Sequence, residues 1–456
     1  MPSKVDRVPV PGKSDEAFRV GTELAAALPS TGGSSLKAID QRAIDLASRD
    51  AELRAALFRF VDVVPACRSL DDLAVHLTGF LGEVDAPPVS IRAAMRIADS
   101  RAGRAALGAA AAAGVRHMAH RFIVGETPSD AEAVLRELWN SGVATSVDLL
   151  GEATVTSAEA DRYAARCHNT LDALTHVYAA LPAHPDLEAD GLGPIPRVNL
   201  SVKVSALTPL LRPDAPELGQ RDAAPRLRDL LRHARRLGAH LHIDMESFDS
   251  IQAITGLVLD LLAEDEFRDG PSAGLVLQAY LRDSPELCDR IITWAATNPR
   301  GAPLVVRLVK GAYWDHEIVE ARQSGWAAPV FEVKSDCDRN FEALTVDLIG
   351  ARAGCLGVRP AIASHNLRSV AHAIAANRAA GLPDGELELQ VLRGLGDGLA
   401  HALATTGHRV RAYCPIGDLV AGMAYLVRRL LENTSNESFL HEQAAGRPLA
   451  ELLAAP

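Results

Sequence analysis

Cysteines, aromatic residues and long apolar runs are all scarce in this 456-residue chain, and each scarcity removes a class of protein. The six cysteines, Cys67, Cys167, Cys288, Cys337, Cys355 and Cys414, are scattered and form no C-x-x-C pair. That pattern favours reduced thiols in a cytoplasm over a disulfide framework or a zinc site, and no metal is expected. No run of eighteen apolar residues occurs, so no segment is expected to span a membrane. The opening MPSKVDRVPVPGKSDE lacks the apolar stretch of a signal peptide. Lysine and arginine nowhere cluster densely and the net charge is −11, which argues against a general nucleic-acid binder.

What is present is a hydrophobic fraction of 48%, enough to bury a large core. Up to about Gly114 the pattern is helical. Ala51 to Phe58 and Ile91 to Ala98 have helical spacing, Ala105 to Ala113 has high helix propensity, and Ser30 to Ser35 punctuates the helices. Residues 1–117 therefore read as a helical N-terminal arm. After a helix from about Ser129 to Asn140, eight short apolar runs alternate with helical segments: Ala144 to Leu149, Val198 to Val204, His240 to Met245, Gly274 to Ala279, Leu304 to Val309, Pro360 to Ala363, Leu387 to Leu392 and Arg409 to Tyr413. Strands each followed by a helix predict an α/β fold, a (β/α)8 TIM-like barrel over 118–433, with 434–456 as a C-terminal tail. An open doubly wound sheet is the competing architecture, but no G-x-G-x-x-G follows the first strand.

In such a barrel the chemistry belongs at the C-terminal strand ends. The first strand leads into Asp148-Leu-Leu-Gly-Glu152. On the second, alternation puts Asn199, Ser201 and Lys203 on one face, which predicts Lys203 inside the barrel. The third sets His240, His242, Asp244 and Glu246 on one face, open to a zinc reading or to an inward polar stack satisfied by neighbouring strands. Arg307 lies in the middle of the apolar fifth strand, where a charge demands a carboxylate or an anionic ligand. Lys310, Gly311, Tyr313 and Trp314 follow it and suit the approach of an aromatic cofactor. Gln278 and Tyr280 end the fourth strand, Ser364-His-Asn366 the sixth, and Gln390 with Leu392 the seventh. Beyond Tyr413, a helix carries Tyr425, Arg428, Arg429 and Glu432 on one stripe, and its paired guanidiniums suit a carboxylate.

These residues resemble a known family. Leu149-Leu-Gly-Glu152, Ser201-Val-Lys-Val-Ser-Ala206, His242-Ile-Asp244, Leu277-Gln-Ala-Tyr280, Val306-Arg-Leu-Val-Lys-Gly-Ala-Tyr-Trp-Asp315, Ser364-His-Asn366 and Tyr425-Leu-Val-Arg-Arg-Leu-Leu-Glu-Asn433 match, in order, the motifs of proline dehydrogenases. The chain is most similar to the dehydrogenase half of the bifunctional proline utilization A enzymes. The resemblance implies a distorted barrel carrying FAD at the strand ends. It implies hydride transfer from C5 of L-proline to flavin N5, giving 1-pyrroline-5-carboxylate in proline catabolism, with electrons passed to a membrane quinone. It assigns Lys203, Arg428 and Arg429 to the proline carboxylate, Tyr413, Tyr425 and Leu392 to the proline ring, Glu152 to a gating pair with Arg428, and Asp244 to a supporting place beside Tyr413. FAD is expected to meet Gln278, Arg307, Val309, Lys310, Gly311, Ala312, Trp314, Lys334, Ser364, His365, Asn366, Glu432 and Phe439.

Glu332 stands where some relatives have threonine, which bears on the Lys334 loop. The resemblance also implies that an aldehyde dehydrogenase half and a DNA-binding module are absent, and that a cytoplasmic enzyme would visit the membrane peripherally. Two other functions fit the bare residues, a metal-dependent barrel hydrolase using His240 and His242 and a non-catalytic barrel. A folate-reductase-like flavin barrel fits the fold but not the double-arginine helix.

Overall fold

The computed structural model describes residues 13–29, 50–151, 154–418, 422, 425, 429, 442 and 446–456. Eight parallel strands close a barrel: β1 Val143–Leu149, β2 Asn199–Val202, β3 His240–Ile243, β4 Ser272–Gln278, β5 Leu304–Val309, β6 Val358–Ala363, β7 Glu388–Leu392 and β8 Arg409–Ile416. Each strand pairs with the next, and β1 closes the ring on β8 with Ser146 opposite Tyr413. All eight expected strands are present. Alternation explains them: Leu200, Val202, Leu241, Ile243, Leu275, Leu277, Val306 and Leu308 face the surrounding helices and are buried in one continuous core. The polar residues between them face inward.

Side-chain caps set several helix starts. Thr127 and Asp130 form a capping box on Pro128–Asn140, and Thr156 with Glu159 does the same on Ser157–Ala179. Asp50 accepts the backbone N–H groups of Glu52 and Leu53 at 3.0 Å to start Ala51–Val63.

The arm comprises Lys13–Ala27, Ala51–Val63, Leu70–Gly82, Val89–Ile97 and Arg101–Phe122. Its last helix runs five residues beyond position 117, until the chain turns extended at Ile123. That exit segment continues the barrel: Val124 N–H donates to Pro415 O at 2.9 Å and Gly417 N–H to Gly125 O at 3.0 Å. The arm is thereby tied to the C-terminal end of β8.

The other end of the barrel is shut by a feature the sequence reading lacked. A two-residue ladder, Ala189–Asp190 with Gly193–Pro194, carries Asp190 beneath the barrel. There Asp190 accepts from Nε and Nη2 of Arg359 at 2.9 and 2.7 Å and from Nη2 of Arg409 at 3.1 Å. Above it Arg411 holds Glu388 bidentately at 2.9 Å. The cavity among Asn199, His240, Ser272, Arg359, Glu388 and Arg411 is about 10 Å³, room for roughly one water.

Candidate active site

The C-terminal half of the barrel interior holds a compact charged cluster. Lys203 follows β2 directly, and its Nζ lies 2.6 Å from Asp148 Oδ1 and 3.7 Å from Asp244 Oδ2. Arg307 Nη1 donates to Asp244 Oδ1 at 2.7 Å, and Nη2 donates to Ser146 Oγ at 3.1 Å and Ser201 Oγ at 3.3 Å. Tyr413 donates its hydroxyl to Asp244 Oδ2 at 2.7 Å, while the Arg307 guanidinium lies 5.3 Å from the centre of its ring. Two cations thus meet two carboxylates, and Asp244 ties Lys203, Arg307 and Tyr413 together.

Arg307 therefore finds a protein carboxylate, one of the two kinds of partner its burial demanded. The reason is register: with β4 between them, β3 and β5 bring Asp244 and Arg307 onto the same interior face. Asp148 was visible at the end of β1, yet its pairing with Lys203 was missed. The clue was the inward alternation of Ser146 and Asp148. Tyr163, whose hydroxyl accepts the Lys203 backbone N–H at 3.3 Å, left no sequence signal.

Burial works against charge on Lys203, but Asp148 and Asp244 outweigh it and hold the ammonium above the ordinary lysine range. Burial, reinforced by Asp148 and Asp244, pushes the Tyr413 hydroxyl well up, so it stays a donor. His365 is pulled down to about 4, first by burial and then by the charge of Arg429. Its Nε2 accepts the Leu392 N–H at 2.8 Å, which only the neutral ring can do. Ser364 Oγ accepts the Asn366 N–H at 3.1 Å, and Asn366 in turn caps the helix Leu367–Ala379 through Ser369 N–H.

Beyond β8, Tyr425 and Arg429 stand at this end, with the Arg429 guanidinium 5.0 Å from the centre of the Tyr425 ring. Both are buried. Tyr425 packs with Phe60, Val61, Leu73, Val115, Ala119 and Phe122 of the arm, and Tyr413 is packed against the same cluster. The arm thus forms one wall of the site. Glu152, Arg428, Glu432 and Phe439 lie outside the described residues.

Gln278 gives its amide N–H to Glu246 O at 3.1 Å. Its Oε1 and the Nε of Arg307 are buried without a hydrogen-bond partner among the described residues. Beyond Val309, the loop at Gly311 and Ala312 is open, and Trp314 is 39% exposed. At Gly311, φ is +139° and an added Cβ would fall 2.4 Å from the Tyr280 ring, so glycine is required. Lys310 faces away, sharing Asp338 with Lys334 on the helix Lys334–Ala353. Glu332 makes a loose surface pair with Arg282 at 3.5 Å.

The two histidines of β3 are not arranged as metal ligands. His240 Nδ1 contacts Ser272 Oγ at 2.8 Å and its Nε2 meets His242 Nδ1 at 3.1 Å, a buried stack among neighbouring strands. Burial, followed for His240 by Arg411 and for His242 by Arg307, holds both rings neutral well below the ordinary histidine range. Among the described residues, no helix is long and apolar enough to cross a membrane.

Three comparisons bear on this site. A bifunctional protein PutA of Salmonella typhimurium is 32% identical over 350 residues, which are 75% of this chain and 25% of that protein. This chain thus spans about a quarter of the length of that curated relative. Proline dehydrogenase 1 of Bacillus subtilis subsp. natto is 26% identical over 335 residues, 73% of this chain and 92% of that one. The crystal structure of proline utilization A from Bdellovibrio bacteriovorus, inactivated by N-propargylglycine, superposes with a TM-score of 0.88 at 33% identity, covering 97% of this chain and 44% of that chain. Residues 14–122 match the proline utilization A N-terminal domain. Residues 131–442 match the proline dehydrogenase model, and the chain belongs to that family.

Proposed function

We propose that this chain is an FAD-dependent proline dehydrogenase that oxidises L-proline to 1-pyrroline-5-carboxylate and hands the electrons to a quinone. The observation that carries the reading is the Lys203, Asp148, Asp244, Arg307 and Tyr413 cluster at the C-terminal end of a barrel of this family.

The residues present fit FAD. The unpaired Gln278 Oε1 and Arg307 Nε supply an acceptor and a donor for an isoalloxazine edge, and the open Gly311 to Trp314 loop offers backbone and an aromatic cover. Val309, Ser364, His365 and Asn366 extend the same rim, and Lys334 stands beyond it. Bound FAD would supply the two-electron acceptor, taking hydride from proline C5 at N5.

Everything else falls to the protein. Lys203, Arg429 and Arg428 would hold the proline carboxylate, and a guanidinium provides the planar fork that suits it. The inner cluster is balanced two against two, so the carboxylate's charge is met chiefly by Arg429 and Arg428. Tyr413, Tyr425 and Leu392 would line the ring and exclude water, with Asp244 fixing the orientation of Tyr413. Glu152 is the proposed gate to Arg428.

Anaerobic titration with L-proline, followed through flavin absorbance, tests this. Bleaching is expected, and Arg429→Met should keep the flavin while raising the proline concentration needed by about a hundredfold, the scale of a lost charge-assisted contact. N-propargylglycine should inactivate the enzyme as it does the Bdellovibrio protein. A flavin that proline leaves oxidised would refute the substrate.

A further inference from the structure

We propose that Cys67, Asp72 and His76, in the arm, bind a divalent transition-metal ion of the zinc type. One ligand atom from each of the three lies within 4.8 Å of the other two, and no other such trio of histidine, cysteine or carboxylate groups occurs among the described residues. The local chain explains why they converge. Ala51–Val63 ends in a single 3-10 turn, Val64–Ala66, which delivers Cys67 as a free thiol beside the start of Leu70–Gly82. Asp72 and His76 then stand one turn apart on that helix, on one face.

The Asp72 carboxylate is already oriented. Arg68 N–H donates to Oδ2 at 3.0 Å, which leaves Oδ1 turned to His76 Nε2 at 3.6 Å. That separation is too long for a hydrogen bond. It is the separation of two ligands on one ion: tetrahedral zinc with bonds of about 2.0–2.3 Å sets neighbouring ligand atoms roughly 3.3–3.8 Å apart. Sulfur, imidazole and a carboxylate together select zinc-like ions over magnesium or calcium. The side chains of Asp72 and His76 are 38% and 41% exposed, so an ion has an open approach and a fourth position for water.

The ion would tie the 64–69 connection to the first two turns of Leu70–Gly82, the helix that contributes Leu73 to the cluster around Tyr425. It would brace the wall of the site without touching substrate.

The test uses the full chain, reduced and stripped of metal, titrated with Co²⁺ and then Zn²⁺. One equivalent of Co²⁺ should give a thiolate-to-cobalt charge-transfer band with tetrahedral ligand-field absorption, and one equivalent of Zn²⁺ should remove it. Cys67→Ser should abolish the band. His76→Ala should weaken binding by more than the roughly 10–100-fold that loss of an outer partner costs. Cys355→Ser, which alters the exposed thiol elsewhere, should change nothing. Circular dichroism of each variant establishes that it is folded, and the half-exposed His76 offers a second variant should Cys67→Ser misfold. The absence of a stoichiometric band in the unaltered chain, or a band that survives both ligand substitutions, would overturn the proposal.

Discussion

Arg307 and His365 show how much a single side chain discloses. The burial of a guanidinium in β5 was legible from its apolar neighbours, and so was its need for an anion. Which anion was not, because Asp244 reaches it from two strands away and register cannot be read from one strand's alternation. His365 was legible only as a polar group at a strand end. Its acceptor role towards Leu392 N–H fixes its protonation state, and that has a measurable consequence. The unfolded ring titrates near 6.5 and the folded one at about 4. As pH falls from 6.5 towards 4, the unfolded chain gains a proton that the folded chain refuses. Stability should therefore drop across that window, by up to about 3 kcal/mol from this residue, and level off below it. Denaturant melts of the natural chain and His365→Gln between pH 7 and pH 4 should diverge, the variant showing the shallower slope.

At the scale of elements, the eight strands were readable as short apolar runs between helical segments, and in β2 and β3 alternation also separated helix-facing aliphatics from an interior polar file. The helices followed from periodicity. The ladder that carries Asp190 was not readable: two residues per strand give no period, and Gly193–Pro194 looks like any turn. Yet that ladder supplies the one carboxylate shared by two buried arginines, Arg359 and Arg409. Asp190→Ala should leave Arg359 and Arg409 partly unpaired in the interior and cost about 3–5 kcal/mol of stability. Because the change lies at the end of the barrel away from Lys203, the KM for proline should stay within about twofold of the natural chain. Steady-state kinetics beside chemical denaturation separate the two effects.

At the scale of the whole molecule, the arm and barrel share a core. Phe122 and Ile123 pack with Tyr425 and Leu150, and the next two residues, Val124 and Gly125, pair alongside the end of β8. The helical character of the arm was plain in the sequence; its contact with the site was not, since nothing in a helix's periodicity names its partner. The shared cluster predicts one cooperative unfolding transition. Phe122→Ala should lower it by about 3–5 kcal/mol without splitting it, and should raise the KM for proline through Tyr425. Calorimetry would detect the alternative, two separate transitions.

The closed foot of the barrel also dictates traffic. With Asp190, Arg359, Arg409 and the Glu388–Arg411 pair stacked beneath the interior, and space there for roughly one water, the foot offers no passage to a molecule the size of an amino acid. Whatever reaches the Lys203 end has to come and go without crossing that foot. If the proposed oxidation is the reaction, product and incoming substrate share the approach at the strand ends, and an enzyme that takes the product onward would meet it there.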